Sequence, residues 1–446
     1  MRIVFFTHYF PPEGNAPASR TYDHCVRWIE KGAKVTVITC APNVPNGVVY
    51  DGYKNRFWPK REIVDDIEVI RVWSFIAPNA GGVKRVINYV SYMLFAIFAF
   101  VFRCRRPDLV IATSPQFFCG WAGTISSIAK WCPFLLEIRD IWPESIIAVG
   151  AMKKGLATRF LEVLEKWMYK SANHIVAVGE GYKQAILKRA PKLTNISVVT
   201  NGVDLDKFQP RVADQEFLDA WKLNDKFVCA YVGTIGMAHG LRVVVEAAEM
   251  LRQKGRDDIK FCLVGDGANR VMLEKAVQEK GLQSYIAFTG RLPKEKISSV
   301  MASSNTLLIH LRKCDLFTTV IPSKMFEAMA MGKPIIMGVD GEARDIVTTS
   351  GSGINMRPDE ASDLVDAVCE LASNPQQMQK LEQSGRPFVA ANYTRDVLAG
   401  RMYSIIKSVA TGQPVDNSDS PEADSVETDS PVPRPAIQKK PMERNH

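Results

Sequence analysis

Two doubly wound α/β domains facing each other across a cleft are what this sequence predicts, on three observations. The chain has 446 residues, more than one ordinary core holds. Apolar runs alternate with helical patterns along its first half, as a parallel sheet wrapped by helices requires. The alternation resumes in the second half, beyond an Asn201-Gly202 turn signal in the segment Ser197 to Pro210.

In chain order, Ile3 to Phe6 reads as a first buried strand. The run is cut by Pro11-Pro12 and is too short for a secretory signal. The loop behind it carries Gly14, Ala16, Ala18 and Arg20, small residues that admit a ligand to the backbone, with a helix expected from about Ser19. Further strands are expected at Lys34 to Thr39, Leu109 to Thr113, Phe134 to Ile138, Ile175 to Val178 and Ile196 to Thr200. The second half supplies Phe227 to Val232, Lys260 to Val264, Ile286 to Phe288, Thr306 to Ile309 and Pro334 to Met337. Ligands of such sheets bind beyond the carboxyl ends of the strands, so the loops there are where chemistry is expected.

The strongest apolar run, Val86 to Phe102, is flanked by Lys84-Arg85 and by Arg103, Arg105 and Arg106. It is shorter than the roughly 20 residues of an ordinary membrane span. A buried domain helix, an interfacial helix with basic ends on anionic headgroups, and a true span all fit it. Beyond Thr411, Pro, Ser, Asp and Glu dominate, and 411–446 is expected to be a disordered tail.

The formal net charge of +8 permits attraction to anionic lipid or acidic ligands and does not by itself indicate nucleic acid. The nine cysteines are scattered without a C-x-x-C pair, which fits reduced thiols in a cytosol rather than disulfides or a zinc site.

The segment Ile321 to Ile335 puts a carboxylate, Glu327, in an otherwise apolar helix that starts at Pro322-Ser323, with Ser323 as N-cap, and stops at Gly332 and Pro334. Such a carboxylate must be paired or hydrogen-bonded. Either a nearby lysine holds it, or it accepts from a sugar's vicinal hydroxyls while Lys324 and the free helix N–H groups face an anion. Gly233, Gly236 and Gly240 form a glycine-rich turn after a strand, and Gly265-Asp266-Gly267 forms a second; each is a phosphate-approach loop or a plain turn. Arg291 follows another strand and is either solvated or aimed at a diphosphate. Glu137, Arg139, Asp140 and Glu144 cluster at a strand end of the first half, as a loop-fixing ion network or as chemistry. No D-x-D motif suited to a metal-bridged diphosphate stands out, Asp257-Asp258 lying in a polar connection.

I-P-S-K-M-F-E-A-M-A, N-G-V-D with Phe208 and Pro210, the two glycine turns and R-D-I-W-P-E-S together resemble the retaining family 4 glycosyltransferases of GT-B fold. The resemblance covers about residues 1 to 410 and is nearest the bacterial branch that builds O-antigen, capsule or colanic-acid-type polysaccharides, fucosamine transferases included. It implies an acceptor domain over 1–205, a nucleotide-sugar domain over 206–391 and a helix over 392–410 that returns across the first domain.

It also implies that Glu327 holds the donor ribose, and that Gly233, Thr234, Gly236, His239, Gly265, Asp266, Gly267, Arg291, Thr319, Ser323 and Lys324 line the donor site. Asp140 is then the general-base candidate, beside Arg139 and Glu144, with Gly14 and Arg20 on the acceptor side. The chain departs from the family pattern in three places. Thr234 and His239 stand where an arginine and a lysine usually meet the diphosphate, leaving backbone N–H groups, protonated His239, Arg291 or Lys324 to meet that charge. Arg139 stands where a histidine is common, and Thr319 where a second glutamate completes E-x7-E. A hexosyl or N-acetylhexosaminyl transfer with retention follows, without metal or cofactor, from a UDP- or GDP-sugar to a polyprenyl-diphosphate-linked saccharide at the inner face of the bacterial plasma membrane, with 84–106 as the membrane contact. A UDP-N-acetylglucosamine-type epimerase and an inactive sugar-nucleotide scaffold are the alternatives.

Overall fold

The computed structural model describes residues 1–44, 46–77, 82–144, 147 and 155–416. Nearly all of the tail expected over 411–446 lies outside the described residues; within it, 411–416 close the last helix at Gly412.

Two sheets organise the chain. The first takes β1 (Arg2–Phe6), β2 (Lys34–Cys40), β3 (Lys60–Val64), β4 (Ile67–Val72), β5 (Leu109–Thr113), β6 (Phe134–Ile138), β7 (His174–Ala177) and β8 (Ile196–Val198). Their order is β3-β4-β2-β1-β5-β6-β7-β8, parallel except for β3. The second takes β9 (Phe227–Val232), β10 (Ile259–Val264), β11 (Ile286–Gly290), β12 (Thr306–His310), β13 (Ile335–Gly338) and β14 (Gly353–Asn355), in the order β11-β10-β9-β12-β13-β14. The central strands β5 and β6 are buried at every position, because helices cover both faces, and so read as unbroken apolar runs.

The strands β3, β4 and β14 have no counterpart among the expected ones. Lys60–Val64 is a charged antiparallel edge, Ile67–Val72 carries Glu68 and Arg71, and Gly353–Asn355 is three residues long. The first helix starts earlier than expected, at Ala16, because Asn15 caps it by accepting from the Ala18 amide at 2.9 Å.

One face of the first sheet packs under Gly82–Arg103, Phe117–Lys130, Leu156–Ser171 and Glu180–Arg189. The other packs under Ala16–Glu30 and the last helix, Arg395–Thr411. That last helix crosses back from the second domain: the Trp28 indole donates to the Ala399 carbonyl at 3.1 Å, and Arg27 pairs with Asp396 at 2.6 Å. The return is anchored where Val203 and Thr394 form a β-bridge, so Asn201-Gly202 turns against the crossover and not into solvent.

The apolar run at 86–102 lies in the helix Gly82–Arg103, long and apolar enough to cross a membrane by composition alone. Its inner face, with Tyr92, Ala96, Ala99 and Phe100, is part of the first domain's core, and Tyr92 donates to the Ile38 carbonyl at 2.8 Å. The helix is therefore a domain helix with one free face, and spanning a bilayer would remove it from that core.

Candidate active site in the interdomain cleft

In the second domain, three loops at the carboxyl ends of strands stack through their backbones. The Gly265 amide donates to the Gly290 carbonyl at 2.9 Å, and the Ile235 amide donates to the Asp266 carbonyl at 3.0 Å. A Cβ on Gly265, whose φ is +140°, would overlap the Gly233 carbonyl oxygen, so only glycine permits this stacking. Asp266 turns its carboxylate back onto the Gly267 amide at 2.8 Å and is otherwise exposed. Thr234 is exposed at the rim, and Gly236 sits over the His239 ring.

His239 differs from its expected role. Burial, with neighbouring His310, pulls its pKa below the usual imidazole value although its Gly236 contact works the other way, so the ring is held neutral. Its Nδ1 is buried and has no partner among the described residues. His310 fixes this loop: its Nδ1 lies 2.7 Å from the His239 carbonyl, and its Nε2 accepts the Asp359 amide at 3.0 Å. That pattern requires the neutral Nδ1–H tautomer.

The helix Ser323–Ala330 is buried at Met325, Phe326, Ala328, Met329 and Ala330. Ser323 is its first residue and Pro322 its cap position, so the serine hydroxyl does not cap it. Glu327, 14% exposed, accepts from Lys324 Nζ at 2.7 Å. Of the two alternatives for Glu327, the structure shows the first directly: the lysine one turn earlier on the same helix holds the carboxylate.

Arg291 is exposed. A second cation escaped the sequence reading: the end of the Lys294 side chain reaches the first domain, where a Cβ on Gly14 would come within 3.0 Å of its Nζ. Burial, then the charges of Lys324, Arg395 and Lys207, lower the Lys294 pKa, which places these cations within electrostatic reach of one another. The signal available was a lysine opening a helix three residues after Arg291.

Thr319 closes a short 3-10 turn and spends its hydroxyl on the Leu316 carbonyl at 2.8 Å. Its backbone and side chain press on the first domain, since a Cβ on Gly181 would lie 2.9 Å from Thr319 Cα. Beside it, Glu342 accepts the Gly181 amide at 3.1 Å across the cleft. Thr319 is therefore part of the domain contact, a correction to its expected place against the donor.

On the first domain, Arg20 also moves from its expected place. It is buried and donates through Nε to Glu137 at 2.9 Å and through Nη2 to the Val199 carbonyl at 2.9 Å. Nη1 donates to the Thr200 carbonyl at 2.5 Å, so Arg20 ties strand ends together instead of facing an acceptor. Burial pushes the Glu137 carboxyl up, but Arg20 and Arg139, helped by His24 and Thr113, outweigh it and hold it down to about 2.

Arg139 is lowered by burial to about 10 in spite of Glu137, and its Nη1 has no partner among the described residues. A donor left over in this way is available to an incoming oxygen. Ser114, also missed, accepts the amides of Arg139 at 2.6 Å and Asp140 at 3.2 Å and so sets the loop. Glu144 pairs with Arg189, which also pairs with Glu165. The arrangement is the loop-fixing network, a correction to an acceptor-side Glu144. Burial raises Glu165 to about 7 against Tyr169 and Arg189. A small cavity opens beside Asp140, lined by Gln116, Phe117, Trp142 and Glu165.

The described residues hold no group of three or more His, Cys, Asp or Glu side chains suited to a metal. All nine cysteines are free thiols.

Residues 5–202 match the model of the glycosyl transferase 4-like domain and residues 214–388 that of glycosyl transferases group 1. WcaI of Escherichia coli K12, a glycosyl transferase assigned to colanic acid biosynthesis, is 24% identical over 348 residues, which are 74% of this chain and 82% of that protein. Among solved structures, sucrose-phosphate synthase from Thermosynechococcus elongatus superposes with a TM-score of 0.73 at 17% identity, covering 92% of this chain and all 100% of that one. Anabaena HepE in complex with UDP and glucose gives 0.69 at 15% identity, with the same 92% and 100% coverage.

Proposed function

Because the chain belongs to the family 4 glycosyltransferases of GT-B fold, we propose that it moves a hexosyl or N-acetylhexosaminyl group from a UDP- or GDP-sugar to a saccharide hydroxyl, with retention. The acceptor in this reading is a polyprenyl-diphosphate-linked saccharide of a bacterial surface polysaccharide such as O-antigen or capsule. The enzyme works without metal at the inner face of the plasma membrane, touching it through 84–106. The likeness to WcaI supports the polysaccharide, and the UDP and glucose held by HepE support the donor class.

The Lys324–Glu327 pair, in the same domain as the stacked glycine loops, carries the proposal. Ribose hydroxyls donate to Glu327, and Lys324, drawn from the same pair, turns to the diphosphate with the helix amides behind it. Arg291 and Lys294 complete the positive field that the neutral His239 does not supply. As the bond from the anomeric carbon to the diphosphate oxygen breaks, charge grows on that oxygen. These cations stabilise it, which is the main catalytic term. The acceptor oxygen bonds the anomeric carbon on the same face, and its proton passes to Asp140, while Arg139 Nη1 offers a hydrogen bond to the reacting groups.

A panel of UDP- and GDP-sugars, scored by release of nucleoside diphosphate with and without lipid-linked acceptor, tests this. Glu327→Ala is expected to weaken nucleotide binding about tenfold or more, and Asp140→Asn to lower turnover about 100-fold with binding kept. Isomerised sugar without acceptor would point to an epimerase, and nucleotide binding without any turnover to a scaffold.

A further inference from the structure

The helix Gly82–Arg103 turns an apolar stripe outward. Val83, Ile87, Leu94, Phe98 and Phe102 recur at helical spacing and are exposed, Leu94 by 56%. The sequence already marked this run; the structure adds two neighbours. Phe117–Lys130 and Leu156–Ser171 lie on the same face of the first sheet. The latter exposes Leu156, Phe160, Val163 and Trp167, spaced by four, three and four residues, so they form one line. Among the described residues nothing covers that line, which a solvated helix would fill with polar residues.

Between them, Phe117–Lys130 exposes Ile125 and Ile128 and ends in Trp131, 85% exposed with φ +51°. Left-handed backbone favours Gly or Asn, so a large aromatic there, touching solvent, is costly unless something covers it. Three adjacent helices thus present an aromatic and aliphatic plane much broader than the isolated apolar residues normal on a monomer's surface. Its borders are basic, with Lys84 and Arg85 at one end, Arg103, Arg105 and Arg106 at the other, and Arg159 and Lys170 along the third helix.

The geometry points to a membrane-docking surface made by all three helices, whose occupant is the anionic face of a lipid bilayer. Apolar side chains with an aromatic at the boundary enter the headgroup region, and the bordering cations meet lipid phosphates. The helices begin at the carboxyl ends of β4, β5 and β6, the side where Asp140 lies, so the plane brings the cleft alongside the lipid. That last step rests on the lipid-linked acceptor proposed above; the docking surface does not.

Flotation of the full chain with phosphatidylcholine vesicles containing phosphatidylglycerol, against phosphatidylcholine alone, reads the proposal. The chain is expected to float with the anionic vesicles. Phe160→Glu with Trp167→Glu, on the helix outside the 84–106 stretch, should cut the bound fraction about tenfold, as should Leu94→Glu with Phe98→Glu. Both variants should keep their melting temperature and their affinity for UDP or GDP. A Phe160/Trp167 variant that floats like the parent removes the third helix from the surface, and a folded parent that ignores anionic vesicles overturns the proposal. A lipid-free dimer broken by the same substitutions would assign the plane to a second copy of the chain. Flotation without nucleotide binding would strike the donor reading and leave the surface standing.

Discussion

Glu137 shows how one buried carboxylate sets local stability. Its folded pKa of about 2 lies below the ordinary 4.5, so its contribution is present above pH 4.5 and is lost as the pH falls toward 2. The difference is worth about 3 kcal/mol. Glu137→Gln should therefore lower stability at pH 7 by about 2–3 kcal/mol and flatten the acid side of a melting-temperature profile, since the titrating group is gone. A profile as steep as the parent's would place the acid sensitivity elsewhere. Lys294 makes a different case, because the fold does not need its charge. Lys294→Met should raise the donor KM about five- to tenfold with an unchanged melting temperature, measured by steady-state kinetics on the donor that proves active.

Among the elements, the helix Glu180–Arg189 couples the two domains. Glu342 accepts the Gly181 amide at the N-terminus of this helix, where a carboxylate also meets the positive end of the helix dipole. The contact needs Gly181, since any Cβ there approaches Thr319 Cα to 2.9 Å. Gly181→Leu should push the domains apart, seen as a larger radius of gyration in small-angle X-ray scattering, with a stability cost of about 1–3 kcal/mol. An unchanged radius would mean that the contact does not set the closed cleft. Thr319 acquires its meaning here: a short neutral side chain lets the second domain rest on the glycine.

For the whole molecule, the crossover helix Arg395–Thr411 completes the first domain. It buries Leu398, Met402, Ile405 and Ile406 against a core that includes Trp28, Val35 and Val37. Truncation after Asn392 should expose that face and yield aggregated or molten protein, checked by solubility and by near-UV circular dichroism. A soluble, cooperatively melting truncation would show that the sheet is self-sufficient.

The sequence by itself determined the two-domain α/β plan, the glycine turns and the Lys324–Glu327 helix, because all are local. Buried parallel strands are continuous apolar runs, and the glycine turns and the Lys324–Glu327 spacing each lie within a few residues. The strands it did not show are the charged edge Lys60–Val64, the mixed Ile67–Val72 and the three-residue Gly353–Asn355, whose place comes from neighbours more than from their own pattern. Only the tertiary structure decided which charges are spent and which are free. Arg20 meets Glu137 across 117 positions, and Glu342 meets Gly181 across 161. Lys294 reaches Gly14 from the other domain, and burial keeps His239 neutral. Pairing and desolvation depend on distance in space, which chain order does not encode residue by residue.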